Sequence, residues 1–302
     1  PANSTGQSTV VQHSPASELV PVIPDHTMLR CVGRGSYGEV WLARNVVGLY
    51  RAVKIVYRNA FDRAEPYERE FRGIQHYLPI SLNHPGLVRL LHVGRNDAGG
   101  YFYSIMELAD DEVSAQKINA DTYQPNNLAR EITRKGRIPA ADCVRIFAAL
   151  ADALDYLHQQ QLIHRDIKPS NIILVGGAPK LADIGLVTSV AASGQAVTQL
   201  GTEGYIAPEG PGSPTADVYS LGKVLYEACM GRDRELFPEF PTTWLGRPDH
   251  ALLVELNKIL GKACMTDCRL RYASAAQMQA DLVRLQHLGA GASPAAASQG
   301  PA

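Results

Sequence analysis

Residues 164–171 read HRDIKPSN, placing a histidine, two cations, a carboxylate, a proline and an amide within eight positions. A solvated surface loop can hold such a mixture by chance, so its meaning is set by what flanks it. Before it, over 140–160, Phe147, Leu150, Ala151, Leu154 and Leu157 recur at intervals of three and four, the spacing of a helix with one buried stripe. After it comes the apolar run IILV. A polar octet between two buried elements is a tight loop, and loops held by a rigid scaffold carry binding and chemistry.

The chain changes character once. From 27 to 106, the runs TMLRCV, EVWLARNV, YRAVKIVY, GLVRLLHV and YFYSIM are β-branched and aromatic, with Gly, Asn, Asp and Pro between them, and they read as five strands. One charged interval, 63–78, has Phe71, Ile74 and Leu78 at helical spacing and predicts a single amphipathic helix. Beyond 110 helices take over, at 140–160, 215–230, 250–264 and 274–287. A sheet-rich part followed by a helical part indicates α+β segregation, two lobes with a cleft between them.

GRGSYGEV at 33–40 spells G-x-G-x-x-G through Gly33, Gly35 and Gly38. A dinucleotide fold needs a helix next, but EVWLAR is strand-like. The glycines therefore fall in a hairpin, where absent side chains let backbone N–H groups approach phosphate oxygens. Lys54 follows in the otherwise apolar strand RAVKIV, where a phosphate would need a cation, although a lysine in a strand is ordinarily on its solvated face. A desolvated lysine needs a counter-charge, and the following helix offers Glu65, Glu68 and Glu70. Glu70, four residues before Ile74, is the one placed to face inward. Further on, LADIG holds Asp183. Asp166, Lys168, Asn171 and Asp183 suit phosphoryl transfer: Asn171 and Asp183 as oxygen ligands for Mg²⁺, Asp166 accepting from an attacking hydroxyl, and Lys168 offsetting charge on the transferred group.

Composition bounds the rest. The chain has 302 residues, 45% of them hydrophobic, enough for two lobes with real cores. Its 29 Lys and Arg balance 30 Asp and Glu, so no net field favours nucleic acid or an anionic membrane. Five scattered cysteines fit a reducing compartment better than a disulfide framework or, at Cys264 and Cys268, a metal site. No apolar run is long enough to span a membrane, and PANSTGQSTVVQHSPASE lacks the regions of a signal peptide. A cytoplasmic location without membrane insertion is expected. Residues 1–24 read as a disordered tail and 289–302 as a Gly/Ala/Pro/Ser-rich linker, as if severed from a longer polypeptide.

GRGSYGEV, AVK, Glu70, HRDIKPSN, DIG, GTEGYIAPE, DVYSLG and Arg271 occur in an order that resembles the eukaryotic-type protein kinase family over 28–287. IKPSN, ADIGLV and GTEGYIAPEGPGSPTADVYSLGK are similar to its bacterial serine/threonine branch. The resemblance implies an α+β, bilobal kinase domain over 25–288. Its N-lobe, to about 106, would be a small antiparallel sheet with one main helix. A hinge at 107–110 would lead to a larger, mostly helical C-lobe from 111. It implies ATP and Mg²⁺ as cofactors, a protein serine or threonine as acceptor, and a second copy of the chain for trans-autophosphorylation. By the same resemblance Gly33, Gly35 and Gly38 would cover the phosphates, with Lys54 bound to them and paired with Glu70. Val40, Ala52 and Ile173 would enclose the adenine, with Met106 behind it and Glu107 to Ala109 in the hinge. Glu209 would pair with Arg271, and Asp217 would brace the catalytic loop.

Arg165 beside Asp166 suggests control by a phosphate within 188–202, with Thr198 the first candidate and Thr202 assigned to the substrate-facing loop. Two departures stand out: Ile184 follows Asp183 where most members have Phe, and residues 110–139 form an insertion of unassigned role. The rival reading is a pseudokinase scaffold that binds nucleotide without turnover, which the presence of Lys54, Asp166, Asn171 and Asp183 disfavours. A small-molecule phosphotransferase is disfavoured by GTEGYIAPE, which resembles a peptide-binding loop.

Overall fold

A computed structural model describes residues 20–35, 37–183, 188–189, 201–240 and 246–290. Five strands, β1 (His26–Gly35), β2 (Gly38–Asn45), β3 (Tyr50–Tyr57), β4 (Leu90–Asn96) and β5 (Tyr101–Met106), form an antiparallel sheet in the order β1-β2-β3-β5-β4. Their two-residue alternation sorts side chains between its faces. Trp41, Ala43, Val53, Ile55, Tyr101, Tyr103 and Ile105 pack together on one face. On the other, Val56 and Phe102 join Tyr67, Ile74 and Tyr77 of helix α1 (Ala64–Ser81). Alternation along β3 therefore puts Lys54 on the α1 side, in step with Ala52 and Val56.

The second lobe is built around helix α3 (Ala140–Gln159), whose Phe147, Leu150, Ala151, Leu154 and Leu157 are fully buried. Against it lie α4 (Pro214–Met230), α5 (His250–Ala263) and α6 (Ala275–Ala290). At Gly222 of α4 a Cβ would lie 2.7 Å from Cys264 Sγ and 2.9 Å from Ala263 Cβ, so only glycine lets α4 and α5 approach this closely. Short strands β6 (Leu162–Ile163), β7 (Ile172–Val175), β8 (Ala178–Leu181) and β9 (Thr188–Ser189) pair as β6 with β9 and β7 with β8. The bilobal α+β architecture expected from the sequence is present. Among the described residues no helix is long and apolar enough to cross a membrane.

Several boundaries differ from the sequence reading. The strand read at GLVRLLHV begins only at Leu90; the segment before it turns to the other lobe, where Leu181 N donates to Gly86 O (2.9 Å) and Val88 N to Leu181 O (3.0 Å). Leu87 and Val88 are both buried there, a demand that a sheet edge does not meet. Ordered chain begins before residue 25: Ile23 is buried in the outer cluster of the sheet, and Tyr101 Oη donates to Val22 O at 2.9 Å. Helix α6 reaches Ala290, two residues into the stretch read as linker. The insertion contains a helix, α2 (Leu128–Lys135), capped by Asn127, whose Oδ1 accepts from Arg130 N at 3.0 Å. Eight mostly polar residues are too few to show a period.

One ion pair, buried on its arginine side, holds the segment before α4 to the base of the lobe. Arg271, with its side chain fully enclosed, donates to both oxygens of Glu209 and to the carbonyls of Met265, Thr215 and Thr266. Removing Arg271 leaves the carbonyls it serves without that donor, while the exposed Glu209 returns to water. Arg271→Ala is expected to lower the unfolding free energy by about 2 kcal/mol in urea titration; a change below about 1 kcal/mol would count against this arginine as an anchor.

Candidate active site

The loop at 164–171 is shaped from beneath by α4. Ser213 caps that helix, its Oγ accepting from Ala216 N at 3.1 Å, and Pro214 occupies the first turn, where its missing N–H costs nothing. That start delivers Asp217 into the interior. Its carboxylate accepts from His164 N (2.8 Å), Arg165 N (2.9 Å) and His158 Nε2 (2.9 Å). Arg165 is thereby held at φ 70°, the left-handed region that long side chains seldom occupy. His164 is fully buried, and because a carbonyl can only accept, its Nε2 donates to Ala182 O at 3.1 Å. This ties the loop to the residue before Asp183, itself at φ 60°.

Within the loop the polar side chains close a ring. Asn171 Nδ2 donates to the main-chain oxygen and Oδ2 of Asp166, both at 2.9 Å. Lys168 Nζ lies 2.7 Å from Asp166 Oδ2 and donates to Thr202 Oγ1 at 2.8 Å. Thr202 Oγ1 in turn donates to Asp166 Oδ1 at 2.9 Å. Asp166 is thus fixed by three donors from three positions. The part played by Thr202 comes from a contact 36 residues away, which no local pattern announces.

Across the cleft, Lys54 Nζ bonds to Asp183 Oδ1. About 24% of the Lys54 side chain and 45% of that of Asp183 remain open to the cleft, so the pair is accessible to a ligand. Burial disfavours the Lys54 ammonium, but Asp183, with smaller help from Glu70 and Asp166, outweighs it and raises the lysine pKa. The Lys54 charge in turn holds the Asp183 carboxyl below its usual range despite burial. Glu70 lies near enough to feel Lys54, yet among the described residues no ion pair joins them, because Asp183 has taken the ammonium. Burial pushes the Glu70 carboxyl up to about 7, against the pull of Lys54 and Arg69.

Register shows how the remaining expected residues neighbour one another. Val40 lies opposite Lys54, and Ala52 opposite Met106. Ile172 is buried in the core, so alternation along β7 turns Ile173 the other way. At Gly38 a Cβ would fall 1.8 Å from Ile55 O, which explains the last glycine of GRGSYG, while Gly33 and Gly35 meet little. In the hinge, Glu107 N donates to Arg89 O (3.1 Å), and its carboxylate accepts from Arg89 N (2.9 Å) and Lys180 Nζ (2.6 Å). Ala109 O accepts from Tyr123 Oη at 3.1 Å. The sequence reading missed Lys180 and Tyr123, which carry no motif. Thr198 and Ile184 lie outside the described residues.

A divalent cation fits this donor set. Asn171 spends its NH₂ on Asp166, which leaves its amide oxygen, and Asp183 keeps an oxygen that Lys54 does not use. Two hard oxygens of this kind suit Mg²⁺, which keeps water and substrate oxygens in its shell. Among the described residues no group of three or more His, Cys, Asp or Glu is placed to hold a metal by itself, so such an ion would need its substrate to complete the shell.

Residues 26–243 match the protein kinase domain family. The chain is 30% identical over 280 residues to serine/threonine-protein kinase PknB of Mycobacterium tuberculosis, covering 85% of this chain and 42% of that protein. It is 32% identical to PknB of Mycolicibacterium smegmatis (84% and 42% covered) and 28% identical to serine/threonine-protein kinase PrkC of Bacillus subtilis (85% and 40%). The chain spans about two fifths of the length of these relatives. A five-stranded lobe with one helix, a helical lobe built on α3 and α4, and a cleft lined by Lys54, Asp166 and Asp183 agree with that match, and the chain belongs to the eukaryotic-type protein kinase family, alongside its bacterial serine/threonine members.

Proposed function

We propose that this chain is a serine/threonine protein kinase that transfers the γ-phosphoryl group of ATP to a protein hydroxyl. The observation that carries the reading is that Lys54 pairs with Asp183 while Asp166, held by Lys168 and Asn171 at 2.7–2.9 Å, lies near enough to act on the same ammonium. Phosphoryl transfer asks a protein for positioning and charge more than for covalent chemistry. Asp166, held by Asn171, Lys168 and Thr202, accepts the hydrogen bond of the attacking hydroxyl and then its proton as the new O–P bond forms and ADP leaves. Lys168 sits beside it to offset charge on the moving group. Gly33, Gly35 and Gly38 keep the roof low enough for backbone N–H groups to reach phosphate oxygens, and Lys54 supplies a cation beneath them. Asn171 and Asp183 would hold Mg²⁺, which when bound neutralises phosphate charge. A pseudokinase scaffold is the weaker reading, since none of these groups is missing.

Arg165 supports regulation by phosphate. It is buried, its Nε and Nη2 have no hydrogen-bond partner, and burial lowers its pKa, with the Asp217 charge opposing and the Arg69 charge adding to the effect. A buried guanidinium with unused donors suits an incoming anion. We assign that anion to a phosphorylated residue of 188–202, first Thr198, modified by a second copy of the chain, and we place Thr202 in the substrate-facing loop. The free cysteines agree with a cytoplasmic setting.

Asp166→Ala is expected to lower turnover at least about a hundredfold while leaving nucleotide affinity within about twofold; labelled ATP with a broad acceptor protein measures it, and wild-type turnover in this variant would overturn the assignment. Lys54→Ala should also be severely impaired in that assay. Phosphopeptide mapping after incubation with MgATP should find modification within 188–202, and full activity with that segment unmodified would remove the regulatory role of Arg165. Glu70 yields a pH dependence. Its folded value of about 7 exceeds its ordinary 4.5, so the folded chain binds this proton more tightly, and the stability it contributes is lost as pH rises through about 7. Glu70→Gln should therefore unfold at higher temperature than wild type at pH 8, by the equivalent of about 1 kcal/mol, and match it near pH 4.5. Coincident melting curves at pH 8 would refute this.

A further inference from the structure

The segment between the hinge and α2 has no task in phosphoryl transfer, yet it is densely bonded. Asp110 accepts at its carboxylate from Gly176 N (2.9 Å) and Gly177 N (2.7 Å), and its own N–H donates to Leu174 O at 2.7 Å. The Asp111 carboxylate accepts from Val113 N, Ser114 N, Ser114 Oγ and Gln124 N at 2.8–3.0 Å. Glu112 N donates to Gln124 O at 2.9 Å. The segment therefore leaves the hinge, is pinned to the β7–β8 turn, and doubles back on itself to deliver Tyr123, which is 1% exposed.

Tyr123 bonds to the hinge and to the outer strand of the sheet. Its hydroxyl donates to the hinge carbonyl of Ala109, and its main-chain oxygen accepts from Arg30 Nη2 on β1. The register shows what that contact crosses. Arg30 pairs with Leu42, Leu42 with Ala52, and Ala52 with Met106, so Arg30 is at the outer end of the cross-strand row that ends at the hinge. Three strand spacings of about 4.8 Å make that row roughly 14 Å wide. The Arg30 side chain reaches back over this width to the main chain of Tyr123, whose hydroxyl is held at the hinge, beside the residues expected to roof the adenine. Neither end of the segment is fully satisfied: Arg30 Nε is buried without a partner at the latch, and Asn126 Oδ1 at the base.

We infer that residues 110–127 form a strap, latched by Arg30 to the main chain of Tyr123, that gates the passage of nucleotide through the outer mouth of the cleft. Arg30 acts as a positioning residue: it restrains β1 relative to the hinge and need not touch the ligand. This rests on the reading of the cleft as a nucleotide site.

Stopped-flow mixing of the full chain with a fluorescent ADP analogue and Mg²⁺ tests it. In Arg30→Ala both the association and the dissociation rate should rise, by roughly tenfold, the factor that one charge-assisted hydrogen bond supplies, while Kd stays within about twofold. Arg30→Lys, which retains a donor, should fall between the two. Asp111→Ala, which loosens the strap away from Arg30, should accelerate both rates as well, and it serves if Arg30→Ala fails to fold. Unchanged rates in a chain that binds the analogue overturn the latch alone. A faster dissociation matched by weaker affinity also overturns it, because Arg30 would then be a ligand contact. No binding by the wild-type chain overturns the nucleotide-site reading and the latch together.

Discussion

A single buried carboxylate gives the catalytic loop its shape. Asp217, 1% exposed, accepts from two successive backbone N–H groups of the loop and from His158. Without those bonds two buried amide donors would lack partners, and the left-handed turn at Arg165 would relax toward an ordinary region of backbone space. Strain of this kind persists only where surrounding bonds over-determine it. Everything downstream inherits the turn: the direction of Asp166, the reach of Lys168 to Thr202, and the alignment of Asn171 with Ala182, whose N–H donates to Asn171 O at 2.8 Å. The loop is thus built on helix α4, and its chemistry rests on how that helix begins.

What was legible in the sequence follows the distance over which each feature is decided. The strands and the stripe on α3 are set by neighbours two to four positions apart, so period and turn residues expose them. The polar ring of 164–171 is likewise mostly local. Pairings made across the fold are another matter. Lys54 meets Asp183 across 129 positions, Arg30 meets Tyr123 across 93, and Glu107 meets Lys180 across 73. Each depends on how the lobes pack, which no window of residues contains. Gly86–Val88 fail for a related reason: their strand-like composition is genuine, but their hydrogen bonds go to Leu181 rather than to the sheet.

The Lys54 ammonium is contested. Glu70 and Asp183 both attract it, and only Asp183 is in contact. Glu70 consequently sits partly buried with a carboxyl that resists ionisation near neutral pH. An apolar or amide side chain there would cost the fold less, so the glutamate is better explained by use than by stability. Drawing α1 and β3 together would favour shifting the ammonium from one carboxylate to the other. That movement would lower the desolvation cost of Glu70, because a charge in contact offsets burial better than one at a distance.

Contacts between the lobes differ in how strongly they oppose such movement. Leu87 and Val88 on Leu181, which are buried, and the pair of half-buried Glu107 with Lys180 lie beside the hinge. Placed near the axis, they change little in length when the lobes rotate, so they fix the pivot without locking it. The backbone of Arg30 lies at the opposite edge of the sheet, roughly three strand spacings from that axis, and its side chain reaches back to Tyr123, which is itself bonded to Ala109. A rotation moves the β1 end of this contact farther than the contacts beside the hinge, so it restrains the outer edge of the sheet. The insertion earns its length by bringing Tyr123 within reach of Arg30: a shorter connection from Ala109 to α2 would leave β1 with no partner across the cleft.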